Sequence, residues 1–420
     1  MKKLIPTRFL MVLGTFLLSL LLYIDRINIS VAQDNIADDL DITGPQMGWI
    51  MSIFALGYAL AQVPSGKLAD KYGPRSILSI VVSFWSLFTF LTGAAWNFIS
   101  LFITRLLFGV GEAGAFPGMA KAVYKWIPVR ERGIVTGINF SGSRIGAAFA
   151  LPMVAWMIAT LGWRMSFMVL GGIGFVWAAI WYWWFRTKPE DHPGISKEEL
   201  NHILNTRQKE RDQKDQTGLP FLLLLKSKNM WLAMGQYFAS NFTFFFCLSW
   251  MFSHLKEKYM LDALEAGWYS SAPLIAGAFG NYFAGWLVDY LFKTKGLNVS
   301  RKIPAIVGFL LASIGILMSM QMDTPASAII FFSLAIFGAD MTLSPSWSFC
   351  VDIGREHSGA VSGTMNMAGN LGSFITALAF PYLLSWTGSP DPFFYIAALL
   401  NALAIVFWLM TKPESYVTDF

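Results

Sequence analysis

The stretch FLMVLGTFLLSLLLYIDRINISVAQ, residues Phe9–Gln33, decides the fold. From Phe9 to Leu22 it is apolar and follows Lys2 and Lys3, as a secretion signal would be, but it passes into Tyr23-Ile24-Asp25-Arg26 without a small-residue cleavage site. Another long apolar span follows, so the stretch reads as a retained membrane helix carrying an acid and a base side by side. An ionisable group at bilayer depth costs at least ~2.5 kcal/mol on insertion scales, which implies a water-accessible cavity and partners. Arg105 and Glu112 sit in the same way in the fourth apolar span.

Working outward, the chain of 420 residues is 55% hydrophobic, 16% aromatic and 14% charged, with a mean hydropathy of +0.51. That is too apolar for an ordinary soluble enzyme. The formal charge of +5 does not point to nucleic acid, because Lys and Arg cluster in short loops and form no continuous stripe. Cys247 and Cys350 fall in apolar stretches with no CxxC and no nearby His, so neither a metal site nor a cofactor is expected. His192, His202, His254 and His357 lie in or beside loops, and no Ser, His and Asp grouping suggests an enzyme. Gly109-Val-Gly111-Glu-Ala-Gly114 fits GxGxxG but lies inside an apolar helix with no preceding strand, so its glycines are read as helix-packing positions.

Apolar stretches long enough to cross a bilayer recur twelve times, at 8–32, 46–66, 76–95, 98–121, 132–160, 163–186, 229–254, 264–292, 302–321, 326–350, 357–386 and 390–411. The expected fold is an all-α membrane protein of two pseudo-symmetric six-helix bundles, residues 1–186 and 229–411, with a linker at 187–228 and a tail at 412–420. Lys2, Lys3 and Arg8 precede the first span, Lys67, Lys71 and Arg75 separate the second from the third, and Lys121, Lys125, Arg130 and Arg132 separate the fourth from the fifth. By the positive-inside rule these segments and both termini are cytoplasmic. Residues 33–45, with Asp34, Asp38, Asp39 and Asp41 and no base, read as an outer loop. In the linker Ser196 and Glu199 suggest a capping box on a short surface helix within a solvated tether. Trp183 and Trp184 beside Arg186 read as an interfacial anchor.

The halves echo each other: Gly66, Leu68, Asp70, Gly73 and Arg75 follow the second span, and Gly285, Leu287, Asp289, Arg301 and Lys302 follow the eighth. Repeated halves of this kind build alternating-access transporters. The loop Gly66-Lys-Leu-Ala-Asp70-Lys-Tyr-Gly73-Pro-Arg75 and the helix Arg105-Leu-Leu-Phe-Gly109-Val-Gly111-Glu112-Ala113 resemble signatures of the major facilitator superfamily. Tyr23-Ile-Asp25-Arg26-Ile-Asn28, Glu112-Ala-Gly-Ala-Phe116-Pro117, Trp126-Ile-Pro128-Val-Arg130-Glu131-Arg132 and Met365-Asn366-Met-Ala-Gly369-Asn370 resemble its anion:cation symporter family, which includes bacterial sugar-acid transporters. Gly66, Asp70, Arg75 and Asp289 are accordingly expected to gate rather than to bind.

Counted from Arg8 at ~1.5 Å per residue, Asp25 falls in the outer half of the membrane, level with Arg105 on an opposed helix, so the two could pair, with an anionic substrate competing with Asp25 for Arg26 and Arg105. Arg105, Gly109 and Glu112 share one helix face, placing Glu112 about two turns deeper. The resemblance implies that Asp25 and Glu112 carry coupling protons and that Arg26 meets a substrate carboxylate. It also implies Tyr23, Tyr58, Ser344, Trp347 and Asn366 as substrate contacts. Gln236, Ser240 and Thr243 with Asn241 beside them, Ser344 and Trp347, and Asn366 with Asn370 follow three-to-four spacing and suit a polyhydroxylated ligand. Asp340 reads as a packing or gating group. Galactonate-type members have a glutamine where Ser143 stands, and Arg144 beside it adds a cation that either meets substrate or neutralises Glu112. The resulting expectation is a monomeric, proton-coupled symporter of a hexuronate or aldonate in a bacterial inner membrane, with an anion exchanger or a carrier of another carboxylate as alternatives.

Overall fold

The structure is a computed structural model that describes residues 6–128, 131–206, 224–354 and 358–417. Within these ranges the side chains at 63, 66, 67, 70, 132–134, 136, 137 and 358–360 are not described. The predicted motif positions Gly66 and Asp70, the loop base Arg130 and His357 therefore lie outside the described residues.

Among the described residues the protein is helical throughout, without a strand. The first half comprises α1 (Thr7–Leu40), α2 (Gly44–Thr92), α3 (Phe98–Glu112), α4 (Ala115–Trp126), α5 (Arg132–Trp184) and the linker helix α6 (Lys197–Thr206). The second comprises α7 (Lys228–Ser249), α8 (Met251–Lys258), α9 (Ala263–Lys295), α10 (Leu297–Met320), α11 (Pro325–Met341), α12 (Leu343–Gly354), α13 (Ser358–Thr387) and α14 (Asp391–Met410). α2 and α5 are each two crossings folded at one residue, Gly73 (φ 75°) and Gly162 (φ 78°), in left-handed backbone that a Cβ would resist. The pairs α3 and α4, α7 and α8, and α11 and α12 are single crossings with a break. Each half thus has six crossings, as the hydropathy predicts.

The chain divides into two compact units, Met1–Asp41 with Ile53–Asp215, and Ile42–Ser52 with Gln216–Phe420. Large apolar side chains such as Ile80, Phe149, Ile180, Phe279 and Leu399 are exposed. Hydrocarbon, not water, is the solvent that favours such a surface.

Two sequence expectations change. α1 does not stop at residue 32 but continues to Leu40, so Asp34, Asp38 and Asp39 belong to its last turns rather than to a loop. Buried Ile36 continues the core-facing stripe, and Asp39 is held by the Trp163 indole N–H (3.2 Å) and by Arg164 (2.9 Å). Asp25 consequently sits near the middle of α1, not in one end of it.

The first part of the linker is not a solvated tether. The Glu199 carboxylate accepts hydrogen bonds from the backbone N–H groups of Thr7 (2.9 Å) and Arg8 (2.8 Å), the unpaired amides at the start of α1. It therefore caps α1 instead of closing a box on its own helix, where only the Ser196 hydroxyl, accepting from the Glu199 N–H, is in place. Arg8 also pairs with Glu131 (3.1 Å), and His192 is buried against the rings of Trp126 and Trp184.

Candidate functional site

The first unit concentrates its charge where α1, α2 and α3 meet. α3 is launched by Asn97, whose side chain accepts from the Ser100 N–H while the Ser100 hydroxyl accepts from the Asn97 N–H. Its Gly109 lies directly against the backbone of α2, where a Cβ would come within 2.3 Å of the Phe54 carbonyl oxygen. Gly57 makes the reciprocal approach to the Leu106 carbonyl, so the two backbones touch. Gly109 and Gly57 thereby bring Phe54 and Tyr58 up to the arginines; the GxGxxG segment is a packing device.

Arg26 Nε donates to Glu112 Oε2 at 2.7 Å. Its guanidinium is surrounded by the rings of Tyr23, Phe54 and Tyr58 at 5.0, 5.2 and 5.0 Å. Arg105 is 1% exposed and lies over Phe108 (4.2 Å) and Phe54 (5.8 Å). Its Nε and Nη1 have no hydrogen-bond partner among the described residues, and neither does Glu112 Oε1. Asp25 is fully buried and accepts from the Trp85 indole N–H at 3.1 Å through Oδ2.

The Asp25–Arg105 pair that the sequence allows is therefore not formed; Glu112 pairs with Arg26 instead. The longer α1 explains this, since the level of Arg26 is reached by Glu112 at the end of α3. Arg144 is half-buried on α5 and is not the partner of Glu112. Gly142 and Gly146 of α5 pack on the carbonyls of Phe16 and Leu20, which puts Arg144 level with Leu18. That is roughly 12 Å from Arg26 along the helix axis. Ser143 beside it is buried. Arg75 donates to the Tyr182 carbonyl (2.8 Å), and Asp289 is exposed.

In the second unit the face of α7 is committed to packing. Gln236 Oε1 accepts from Ser346 (3.0 Å) and from the Trp408 indole (3.3 Å), and its amide donates to the Ala233 carbonyl. Ser240 bonds with Thr342, and Thr243 accepts from Asn401. A second polar group is only partly buried: Trp347, 41% exposed, donates to the Tyr237 hydroxyl (3.2 Å), Asn241 donates to the Tyr237 carbonyl, and Asn370 donates to the Asn366 carbonyl. Ser344 is half-buried nearby in sequence on α12.

Sequence reasoning missed Trp85, Phe54 and Tyr237. Trp85 stands among Phe84, Leu87, Phe88 and Phe90, and nothing in that run distinguishes it. Phe54 and Tyr237 were within reach, each lying four residues before a predicted site residue, Tyr58 and Asn241, on the same helix.

Two repeated helical units, one with paired and unpaired charges deep inside it, define a membrane carrier rather than an enzyme. The chain belongs to the major facilitator superfamily, whose family match covers residues 13–377. It is 35% identical to the "probable sulfoacetate transporter" of Cupriavidus necator over 413 residues, 97% of this chain and 95% of that one. It is 34% identical to the "probable galactarate/D-glucarate transporter" of Escherichia coli K12 over 91% of this chain and 90% of that one. To the "D-galactonate transporter" of Escherichia coli O6:H1 it is 32% identical over 95% of each. In fold it is similar to a bacterial homologue of the human lysosomal transporter Spinster in an inward-facing, unoccupied conformation (TM-score 0.77, 19% identity, 96% and 97% of the two chains). It is also similar in fold to a D-xylose-proton symporter (TM-score 0.77, 15% identity, 97% and 98%).

Proposed function

We propose that the protein is a proton-coupled symporter that takes up a small carboxylated sugar by alternating access in a bacterial inner membrane. The observation that carries this reading is the imbalance at Glu112: one carboxylate, bonded to Arg26, lies within electrostatic reach of a second guanidinium, Arg105, that it does not bond. With Asp25 and Glu112 ionised, the two acids and two arginines sum to zero. With both protonated, the group carries two positive charges; a monoanion leaves one of them and a dianion cancels both. A proton on Glu112 releases Arg26 to bond a substrate carboxylate, and departure of that proton returns Arg26 to Glu112 and expels the anion. In the first unit Tyr23 and Tyr58 flank the carboxylate; in the second, Asn241, Ser344, Trp347, Asn366 and Asn370 are groups of the kind that bond sugar hydroxyls; Gly66, Asp70, Arg75 and Asp289 act in gating. Two protons with a monoanion move one net charge inward, worth ~2.3 kcal/mol per 100 mV.

A dianion is the second reading, favoured by Arg144, a further half-buried cation in the first unit. Two relatives are named as probable transporters of such compounds, galactarate/D-glucarate and sulfoacetate. Uptake into proteoliposomes over a panel of uronates, aldonates, aldarates and sulfoacetate, with internal pH recorded, tests both. Acidification accompanying uptake is the expected result. Uptake that needs an anion on the opposite side, with no pH change, replaces symport by exchange.

A further inference from the structure

α1 and the part of α2 after Gly73 run side by side in the same direction. At one end Trp181 packs on Gly14 and donates to the Pro74 carbonyl. In the middle Trp85 donates to Asp25, and at the other end Arg164 ties the Gly93 and Ala95 carbonyls to Asp39. With 3.6 residues per turn, Asn28, Ala32 and Asp39 share the face of α1 that carries Asp25, and Thr89 and Thr92 share the face of α2 that carries Trp85. The polar residues therefore form a ladder from Asp25 to the Asp39–Arg164 pair.

The rungs are unmet. Asn28 is fully buried, yet neither its Oδ1 nor its Nδ2 has a hydrogen-bond partner among the described residues. The same holds for Thr89 Oγ1, also fully buried, and for Asp25 Oδ1, the oxygen that Trp85 does not engage. Thr92 donates to the Phe88 carbonyl and keeps its own lone pairs. Between the rungs stands Ala32, fully buried, whose methyl group offers neither a donor nor an acceptor. Buried polar groups in native proteins are met by protein or by ordered water, and a polar cleft of this kind suits water. The charged groups within electrostatic reach of Asp25 are Glu112 and Arg105, and the latter disfavours a resident metal cation.

We propose that Asn28, Thr89 and Thr92 line a narrow hydrated column between α1 and α2 that carries protons between the Asp39 end of the unit and Asp25 Oδ1. In each step one O–H bond forms as the next breaks, and the arriving proton ends on the Asp25 carboxylate, so no other reactant is required. The column deepens the symport reading and rests on it for its purpose, but its presence can be tested without transport.

Radiolytic hydroxyl labelling of the purified full chain converts water next to a buried side chain into oxidation of that side chain. Trp85 and Trp408 are both fully buried, and Trp408 is bonded to Gln236 rather than facing such a ladder. The expected result is faster oxidation of Trp85 than of Trp408, falling to the Trp408 rate in Thr89→Val; equal rates in the native protein overturn the column. In proteoliposomes with a pH gradient and D-galactonate as the probe, Asn28→Leu and Thr89→Val should slow uptake and acidification about tenfold. Thr89→Ser should stay near native, and D-galactonate counterflow, which needs no net proton movement, should persist in all three and show that they fold. Native acidification with no slowing in either variant overturns the column while leaving symport standing. A native protein without acidification removes symport, and the Trp85 labelling then still decides whether water is there. Uptake driven equally by a sodium gradient would assign the rungs to a metal ion and overturn the proposal.

Discussion

Arg301 and Arg105 are both arginines buried in a helical unit, and their surroundings differ. Arg301, in the second unit, donates through Nε and Nη2 to the two oxygens of Asp352 at 2.7 and 3.4 Å. Arg105, in the first, faces aromatic rings and leaves two nitrogens unbonded among the described residues. The same contrast runs through the neutral groups: Gln236 is met by Ser346 and Trp408, whereas the side chain of Asn28 has no hydrogen-bond partner among the described residues. A matched polar group fixes helices to one another. An unmatched one at this depth is tolerated when another partner completes it. On the proposed reading that partner is an anion, a proton or water, so the first unit would exchange partners where the α7 face of the second keeps its own.

The most forceful way to break that contrast is to remove one of the two buried cations of the first unit. Arg26→Gln or Arg105→Gln should lower uptake by up to about a hundredfold, since a charge-assisted hydrogen bond in a poorly solvated site is worth up to ~3 kcal/mol. Near-native uptake by either variant, measured in proteoliposomes, would put the arginines with Arg301 as structural groups. Next in size, Glu112→Gln should end uphill accumulation while D-galactonate counterflow continues; unchanged accumulation would discard its proposed proton. A smaller effect, of another kind, is expected in the second unit. Gln236→Leu leaves the Trp408 indole N–H buried without its acceptor and should cost ~1–3 kcal/mol of stability with KM unaltered. A stable variant with a raised KM would instead make α7 part of the binding surface. The smallest effect should come from Glu199→Ala, at about 1 kcal/mol for a lost helix cap, seen in thermal unfolding and not in the accumulation ratio.

Much of the architecture was legible because the bilayer imposes it: a span must be apolar for about twenty residues, and loops must be polar. Gly73 lay in the loop motif singled out from the sequence, whereas Gly162, the other fold-back point, was not singled out. The buried charges were legible for the same reason, as Asp25, Arg26, Arg105 and Glu112 are conspicuous in apolar surroundings. Their pairing was not. Whether Arg105 or Arg26 meets a carboxylate depends on where α1 ends, and acidic residues at its last turns read as loop until Trp163 and Arg164 are seen to hold Asp39. Gln236 illustrates the other limit. Three-to-four spacing identifies the face it shares with Ser240 and Thr243, but a face lined with polar groups looks the same whether it meets ligand or a neighbouring helix.

The bonds from Glu199 to the first amides of α1 have a consequence for the chain's connectivity. The segment that leaves α5 returns to the start of the molecule and is fastened there, so the polypeptide is still part of the first unit some twenty residues after its last crossing has ended. A version of the protein expressed as two fragments should therefore be divided beyond Thr206 and not at Phe185. A break at Phe185 would leave Thr7 and Arg8 with bare N–H groups at the end of the helix on which Asp25 and Arg26 ride.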